Sequence, residues 1–160
     1  MWITPMKVGE ILKKPAMPLL ASTSWKDAAE FMLKNGVSAV PVVEEDNNLV
    51  GILSEKDLFR ALFPSYKDWA ATPSAYLDFE QTERDAVSSA GRTIREVMSK
   101  RLITAEKDTP VLKVGGMMVA SGIHQVPVIE NGKLIGMVGR GQIYNAILKK
   151  YFSLEREKKA

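Results

Sequence analysis

The chain has no cysteine. Disulfides and thiolate chemistry are therefore excluded. It has one histidine, His124, so a histidine cluster for a metal and a cysteine–histidine pair are excluded as well. No apolar run approaches the roughly 18 residues that span a membrane. The opening Met1-Trp2-Ile3-Thr4-Pro5 lacks the charged-then-apolar order of a signal peptide. A cytoplasmic location is the expectation. Charge of one sign is missing too. The 22 Lys and Arg face 19 Asp and Glu, for a net charge of +3. The tight basic clusters near the C-terminus, Lys149-Lys150 and Lys158-Lys159, have Glu155 and Glu157 between them. A nucleic-acid binder shows a denser basic stripe with aromatics along it, so neither nucleic acid nor membrane is an expected partner. At 160 residues the chain is one ordinary domain or two small units packed together.

What the chain does have is a repeat. Gly36-Val37-Ser38-Ala39-Val40-Pro41-Val42-Val43 returns as Gly122-Ile123-His124-Gln125-Val126-Pro127-Val128-Ile129, an offset of 122 − 36 = 86. Leu49-Val50-Gly51-Ile52-Leu53 returns as Leu134-Ile135-Gly136-Met137-Val138, an offset of 134 − 49 = 85. The slip falls in the turn, where Glu44 to Asn48 faces the shorter Glu130 to Lys133. A leader repeats as well, Val8-Gly9-Glu10-Ile11-Leu12 answering Ile94-Arg95-Glu96-Val97-Met98. Duplication of this length implies two similar subdomains, and the cleft on their pseudo-twofold axis is the first place to look for a site.

Each copy reads as strand or extended leader, helix, strand, strand, helix. Ser24 to Asp27 is a capping-box pattern. Trp25, Ala28, Ala29, Met32 and Leu33 then share one helical face, which Asn35-Gly36 ends. Val40 to Val43 is a short buried strand whose Pro41 predicts a strand start or an edge. Leu49 to Leu53 pairs with it, and Ser54 opens a helix through Leu58, Ala61 and Leu62. In the second copy Thr109 is the expected N-cap with Pro110 at the first helical position. Val111, Val114, Met118 and Val119 line that helix. A hairpin turns at Asn131-Gly132, and Ile143, Ile147 and Tyr151 build the closing helix. Residues 64–93 form an insertion, with Trp69, Tyr76, Leu77 and Phe79 too apolar for a flexible linker and Glu80 to Ala90 expected to be partly helical. The expected domains are 1–63, with the leader, then the insertion, 94–152, and a charged tail at 153–160.

The unit, with Gly-Val-Ser-Ala-Val-Pro-Val-Val before the hairpin and Gly51-Ile52-Leu53-Ser54-Glu55-Lys56-Asp57-Leu58 after it, resembles the CBS domain. The resemblance covers about 8 to 63 and 94 to 152. It implies an α/β (α+β) fold of two β-α-β-β-α units on a pseudo-twofold axis, together one Bateman module. It further implies a regulatory sensor, not an enzyme, that binds AMP, ADP, ATP or S-adenosylmethionine between its units, requires no cofactor, forms a homodimer and signals to an effector protein. A ligand-free interaction or dimerisation scaffold is the alternative.

The same resemblance implies the site. Asp57 corresponds to a carboxylate that accepts from the ribose hydroxyls, and Ser54 to a contact with phosphate or ribose. Physically, Ser54 lies where a strand becomes a helix, and free N–H groups and the positive dipole end attract phosphate there. Ser54-x-x-Asp57 is equally a capping box, and the two roles are compatible. The other matching positions are Ser38 and Ala39 in the first copy, and Met98, Ser99, Ile103, Thr104, Ile123 and His124 on the far side of the cleft. Ile103 and Ile123 are placed to sandwich an adenine. Lys56, His124 and Arg140 are the candidates for the 5′ end. In the second copy Ser54 becomes Gly139 and Asp57 becomes Gln142 (57 + 85), so one competent site and one degenerate or empty site are expected. Gly136-x-x-Gly139-x-Gly141 is not a dinucleotide fingerprint, whose third glycine lies inside the helix.

Overall fold

The computed structural model describes residues 3–12, 16–63 and 78–155, without the side chains of Phe79 and Thr82. Trp69, Tyr76, Leu77, Glu157, Lys158 and Lys159 lie outside the described residues. Among the described residues six strands form two sheets. β1 (Leu19–Leu20), β2 (Ala39–Val43) and β3 (Leu49–Ser54) lie in the order β1-β2-β3, and β4 (Ala105–Glu106), β5 (Gln125–Glu130) and β6 (Lys133–Gly139) in the order β4-β5-β6. The α-helices among the described residues are α1 (Trp25–Asn35), α2 (Glu55–Arg60), α3 (Phe79–Ser88), α4 (Val111–Ser121) and α5 (Arg140–Phe152). The architecture is mixed α+β. β1 is parallel to β2 and β4 to β5, with α1 and α4 as the crossovers, and β5 with β6 is an antiparallel hairpin. No described helix is long and apolar enough to cross a membrane.

Local chemistry explains these elements. Ser24 Oγ accepts the Asp27 N–H at 3.1 Å, and Gly36 ends α1 in the left-handed conformation at φ 60°, where a Cβ would be strained. Ala28 and Met32 are buried, with Trp25 and Ala29 packed beside them. Leu33, read as part of that face, is 83% exposed. It lies about 100° round the helix from Met32, beyond the stripe that the sheet covers. Val119 fails in the same way next to Met118, at 84% exposed. α4 begins one residue later than expected, with Pro110 as N-cap. Thr109 Oγ1 is spent on the Glu106 N–H at 2.9 Å in the preceding turn. Pro41 lies inside the middle strand of its sheet rather than at a start or edge. β1 is only two residues long and pairs with Val42 and Val43, so the missing N–H of Pro41 breaks no bond to β1. The β5–β6 turn has both Asn131 (φ 52°) and Gly132 (φ 77°) left-handed, as a tight hairpin requires. In the insertion, Asp78 accepts the Gln81 N–H at 3.0 Å and starts α3.

The compact units do not coincide with the sequence repeats. One comprises Met17–Glu45 and Val50–Leu102, and is called here the β1–β3 unit. The other comprises Met1–Ala16, Asp46–Leu49 and Ile103–Ala160, the β4–β6 unit. The leaders are therefore exchanged. The leader of the first repeat packs with the second repeat, and the second leader with the first. In the β4–β6 unit Val8 N–H donates to Thr109 O at 2.9 Å and Val111 N–H to Met6 O at 2.8 Å. In the β1–β3 unit Ile94 N–H donates to Thr23 O at 2.9 Å and Trp25 N–H to Arg92 O at 2.6 Å. These are the same two bonds, shifted by 86 in both partners. Each leader turn is closed by a glutamate on the backbone three residues before it, Glu10 on the Lys7 N–H and Glu96 on the Thr93 N–H. Val8 and Ile94 are fully buried in the two cores. Burial of one such side chain is worth about 1.5–3 kcal/mol.

Glycines let the leaders approach. A Cβ on Gly51 would overlap Met98 Sδ and stand 2.9 Å from Met98 Cγ and 3.0 Å from the Ser99 carbonyl oxygen. A Cβ on Gly136 would meet the Leu12 methyls at 3.0 and 3.3 Å. A side-chain methyl can give way, and a strand-bound carbonyl cannot. Gly51→Ala is therefore expected to destabilise by about 1–3 kcal/mol and Gly136→Ala by less, measured by urea denaturation. Equal losses would mean that the Ser99 carbonyl is not the obstacle.

The turn before β3 docks on the β5–β6 turn within the β4–β6 unit. Asn47 Nδ2 donates to Leu134 O at 2.9 Å, Leu134 N–H donates to Asn47 O at 3.2 Å, and Lys133 Nζ donates to Asp46 O at 2.8 Å. The Asn48 N–H on Asp46 Oδ1, and then the Lys133 ammonium, hold the Asp46 carboxyl below its ordinary value of 3.8. Its contribution to stability is then complete above pH 3.8 and is lost as pH falls through the lower folded value. Asp46→Ala should lower the melting temperature at neutral pH, and the gap to wild type should close below pH 3.8. A gap that stays constant into acid would assign the effect to something other than this carboxylate.

Candidate functional site

β3 ends and α2 begins at Ser54, and a closed set of hydrogen bonds sets this junction. Ser54 N–H and Ser54 Oγ–H both donate to Asp57 Oδ2 at 2.9 Å. Asp57 N–H donates back to Ser54 Oγ at 3.2 Å. Glu55 N–H donates to Ser38 O at 3.0 Å. Three of the four free donors of a helix start are thus satisfied within the protein. The Lys56 N–H has no partner among the described residues. This corrects the expectation of free N–H groups at Ser54, whose hydroxyl proton is also committed. Asp57 is 7% exposed. Its Oδ2 is spent on the cap. Among the described residues its Oδ1 has only the Arg60 guanidinium nearby, at 4.0 Å, beyond hydrogen-bond distance. One carboxylate oxygen thus holds the helix start while the other keeps its lone pairs.

Met98 and Ser99, expected from the far side of a cleft, belong to the same compact unit as Ser54 and Asp57, because the leaders are exchanged. Ile52 and Ser99 trade both backbone hydrogen bonds, at 3.0 and 2.9 Å. Met98 is buried and Ser99 exposed. The β1–β3 unit therefore gathers Ser38, Ala39, Ser54, Lys56, Asp57, Met98 and Ser99 around one strand end.

Ile103, Thr104, Ile123, His124 and Arg140 belong to the β4–β6 unit. Its own strand-to-helix junction repeats the backbone bond of the first, with Arg140 N–H donating to His124 O at 2.9 Å. Arg140 Nη1 also reaches His124 Nε2 at 3.1 Å. A guanidinium only donates, so Nε2 is the acceptor in this contact. Both side chains are exposed. Ile123 packs against the core of its own unit, and Thr104 borders a polar depression with Glu106, Asp108 and Lys113. Gln142 takes over the capping role of Asp57. Its Oε1 accepts the Gly139 N–H at 2.8 Å. What remains on Gln142 is Nε2, a donor, where Asp57 leaves an acceptor.

Sequence reasoning missed two neighbours of these junctions. Arg60 is three residues beyond Asp57, a spacing that places it on the same helix face. Gln125 lies against Gly139, and the signal was the exchange of Ala39 for Gln125 beside the exchange of Ser54 for Gly139. Among the described residues no cluster of carboxylates and histidine could hold a metal ion.

A CBS-domain family profile matches residues 8–64 and 94–149, and the chain belongs to the CBS-domain family. It is 29% identical over 155 residues to an uncharacterized protein of Methanocaldococcus jannaschii, covering 89% of this chain and 92% of that protein. It is also 29% identical over 140 residues to the L-aspartate semialdehyde sulfurtransferase of the same organism, covering 84% of this chain but spanning only 23% of that protein. The fold matches the CBS-domain pair of protein MJ0100, solved with 5′-methylthioadenosine and S-adenosyl-L-methionine, with a TM-score of 0.68 at 26% identity over 92% of this chain and 99% of the other.

The capping bonds and the charge of Asp57 separate by substitution. Asp57→Ala removes the cap and is expected to cost about 0.5–2 kcal/mol of stability. Asp57→Asn keeps an oxygen for the Ser54 donors and should cost clearly less. Urea denaturation of both variants checks this. Equal losses would show that the charge, not the cap, carries the contribution.

Proposed function

We propose that the chain is a regulatory module that binds an adenosine nucleotide (AMP, ADP, ATP or S-adenosylmethionine) and passes its bound state to a partner protein without catalysing a reaction. The observation that carries this reading is the uncapped Oδ1 of Asp57. The two ligands of the MJ0100 pair share an adenosine group, hence a vicinal diol with two donors. AMP, ADP and ATP carry the same diol. A buried carboxylate with one oxygen already fixed by Ser54 is a preorganised acceptor for it, because no side-chain freedom is lost on binding. The ligands differ at the 5′ end, for which Lys56, on α2 beside Asp57, is the proposed contact.

The mechanism follows from differential binding. A nucleotide that binds one arrangement of the chain better shifts the population towards it by that difference in affinity, and a partner reads the arrangement. On this reading the protein acts in the cytoplasm as a homodimer with an effector chain. The donor left on Gln142, in place of an acceptor, favours one adenosine site per chain. It also favours the second reading, a scaffold whose junctions bind nothing.

Calorimetric titration with AMP, ADP, ATP and S-adenosylmethionine distinguishes these. One of them should bind wild type, and Asp57→Asn should weaken it by roughly 10- to 150-fold, the equivalent of about 1.5–3 kcal/mol for a charge-assisted hydrogen bond. Binding that Asp57→Asn leaves unchanged would remove Asp57 from the site, and no binding by any of the four would favour the scaffold.

A further inference from the structure

The repeat also aligns the outer helix faces of the two units. α1 exposes positions 26, 27, 30, 33, 34 and 35, and α4 exposes the same positions shifted by 86. On α1 four of these six are charged, Lys26, Asp27, Glu30 and Lys34, and on α4 only Lys113 is. Lys34 Nζ lies 2.7 Å from Glu30 Oε1, so the outside of α1 is a solvated, ion-paired face on which Leu33 is a scattered apolar residue. On α4, Leu112 replaces Lys26, Gly116 replaces Glu30 and Ala120 replaces Lys34. Leu112, Gly116 and Val119 fall within about 60° of one another around the helix, with Leu112 67% and Val119 84% exposed. Lys113 lies outside that stripe. The exchange continues on the helix that packs against each. Exposed Lys56 and Arg60 of α2 become exposed Gly141 and Asn145 of α5, and a charge persists only at the helix start, where Arg140 replaces Glu55.

We propose that the Leu112–Gly116–Val119 face of α4 docks on the same face of a second copy of the chain, with the twofold axis beside Gly116, and that α1 has no such role. This rests on the homodimer of the proposed function and holds whether or not a nucleotide binds. A helix that faces water keeps its outer side polar, and α4 does not. Two observations name a second copy as what covers it. The first is Gly116. Glycine is the poorest helix former after proline, and a Cβ on Gly116 would meet nothing within 4 Å among the described residues. The unit itself therefore does not require this glycine. Its neighbour Gly115 differs, since a Cβ there would stand 3.3 Å from Ile143 Cγ2 on α5. In an isologous contact a residue at the axis faces its own copy, so one lost side chain at 116 clears the approach from both sides. The second is charge. A face without charge meets no like-charge repulsion from its own copy, and it offers a foreign partner no opposite charge to select it. The same contact at α1 would strip water from Lys26, Glu30 and Lys34, a cost that an ion pair of this kind does not recover.

Sedimentation of the full chain over a range of concentrations tests this on wild type, Val119→Glu, Gly116→Ala and Leu33→Glu. Leu33 is the counterpart of Val119 on α1 and is equally exposed, at 83%, so neither substitution disturbs a core. Melting temperature is the check on folding. Wild type is expected to be a dimer. Val119→Glu should weaken it by roughly tenfold or more, because the axis sets two carboxylates face to face. Leu33→Glu should leave the dimer unchanged. Gly116→Ala should weaken the dimer yet not lower the melting temperature where the chain is monomeric, since alanine favours the helix. A dimer that Val119→Glu leaves intact would overturn the α4 face while the homodimer reading stands. Equal weakening by Leu33→Glu would overturn the choice of α4 over α1. Weakening by Val119→Glu with none by Gly116→Ala would overturn the crossing at Gly116. A wild type that stays monomeric at every concentration would sink the homodimer reading and this face together.

Discussion

Everything in this structure depends on a pair of backbone hydrogen bonds made twice. A leader residue donates to the carbonyl before a helix, and the first helical residue donates back to the leader. Val8 with Thr109 and Met6 with Val111 make one set, and Ile94 with Thr23 and Arg92 with Trp25 the other. Buried backbone donors must find partners, and the first N–H of a helix has none within the helix. The leader supplies one, and it carries a fully buried Val or Ile into the core as it does so. Since each leader serves the other repeat, neither repeat has a complete core of its own. A module of under 60 residues is marginal even when complete, so the exchange makes the two repeats obligatory to each other.

At the strand-to-helix junctions one residue caps the helix, and on the reading proposed for Asp57 the same residue carries the ligand chemistry. Asp57 and Gln142 occupy equivalent places and make the same bond to the N-cap N–H. Stability therefore tolerates either. What differs is the atom left over, a carboxylate oxygen in one case and an amide nitrogen in the other. A structural role shared by both copies and a chemical role available to one can thus coexist without conflict. Ser54 adds to this by donating its hydroxyl to the same oxygen that its N–H uses, which leaves the other oxygen of Asp57 uncommitted.

Much of the fold was legible in the sequence because its signals are local. Ser24, Gly36, Asn131 and Gly132 each act within three or four residues of themselves, and their elements lie where those residues place them. The family follows from the repeat, and the matched segments 8–64 and 94–149 cover both copies. The misplacements were of another kind. Leu33 and Val119 have the right period and the wrong surroundings, since periodicity says which face is apolar and not how wide a stripe the neighbours cover. Pro41 sits in a middle strand because β1 is too short to reach it, which depends on another element's length. The exchange of leaders was not legible at all. Val8 and Ile94 are equivalent residues, and either core would accept either one. At the candidate site, the capping pair of Ser54 and Asp57 was legible. The commitment of the Ser54 hydroxyl, the place of Arg60 and the contact of Gln125 with Gly139 were not, because each depends on a side-chain direction.

The two kinds of position differ in how much they can change. Gly51 and Gly136 face a leader at distances that leave no room for a methyl without movement, and both copies keep glycine there. Val126 and Val128, like Val40 and Val42, are buried and repeat as apolar residues. At the junction ends no such constraint acts. A side chain at 54 or 139 has only to leave the N-cap N–H a partner, and one at 39 or 125 has only to fit beside it. Packing therefore holds the leaders, strands and glycines to one pattern, while the ends of β3 and β6 are free to diverge in pairs. Ser54 with Ala39 and Gly139 with Gln125 are two solutions to the same packing problem. The first leaves a carboxylate oxygen of Asp57 beyond the N-cap, and the second leaves side-chain amide nitrogen there. A duplicated scaffold can in this way keep a single fold and carry two unlike surfaces at the two places where the backbone offers the same geometry.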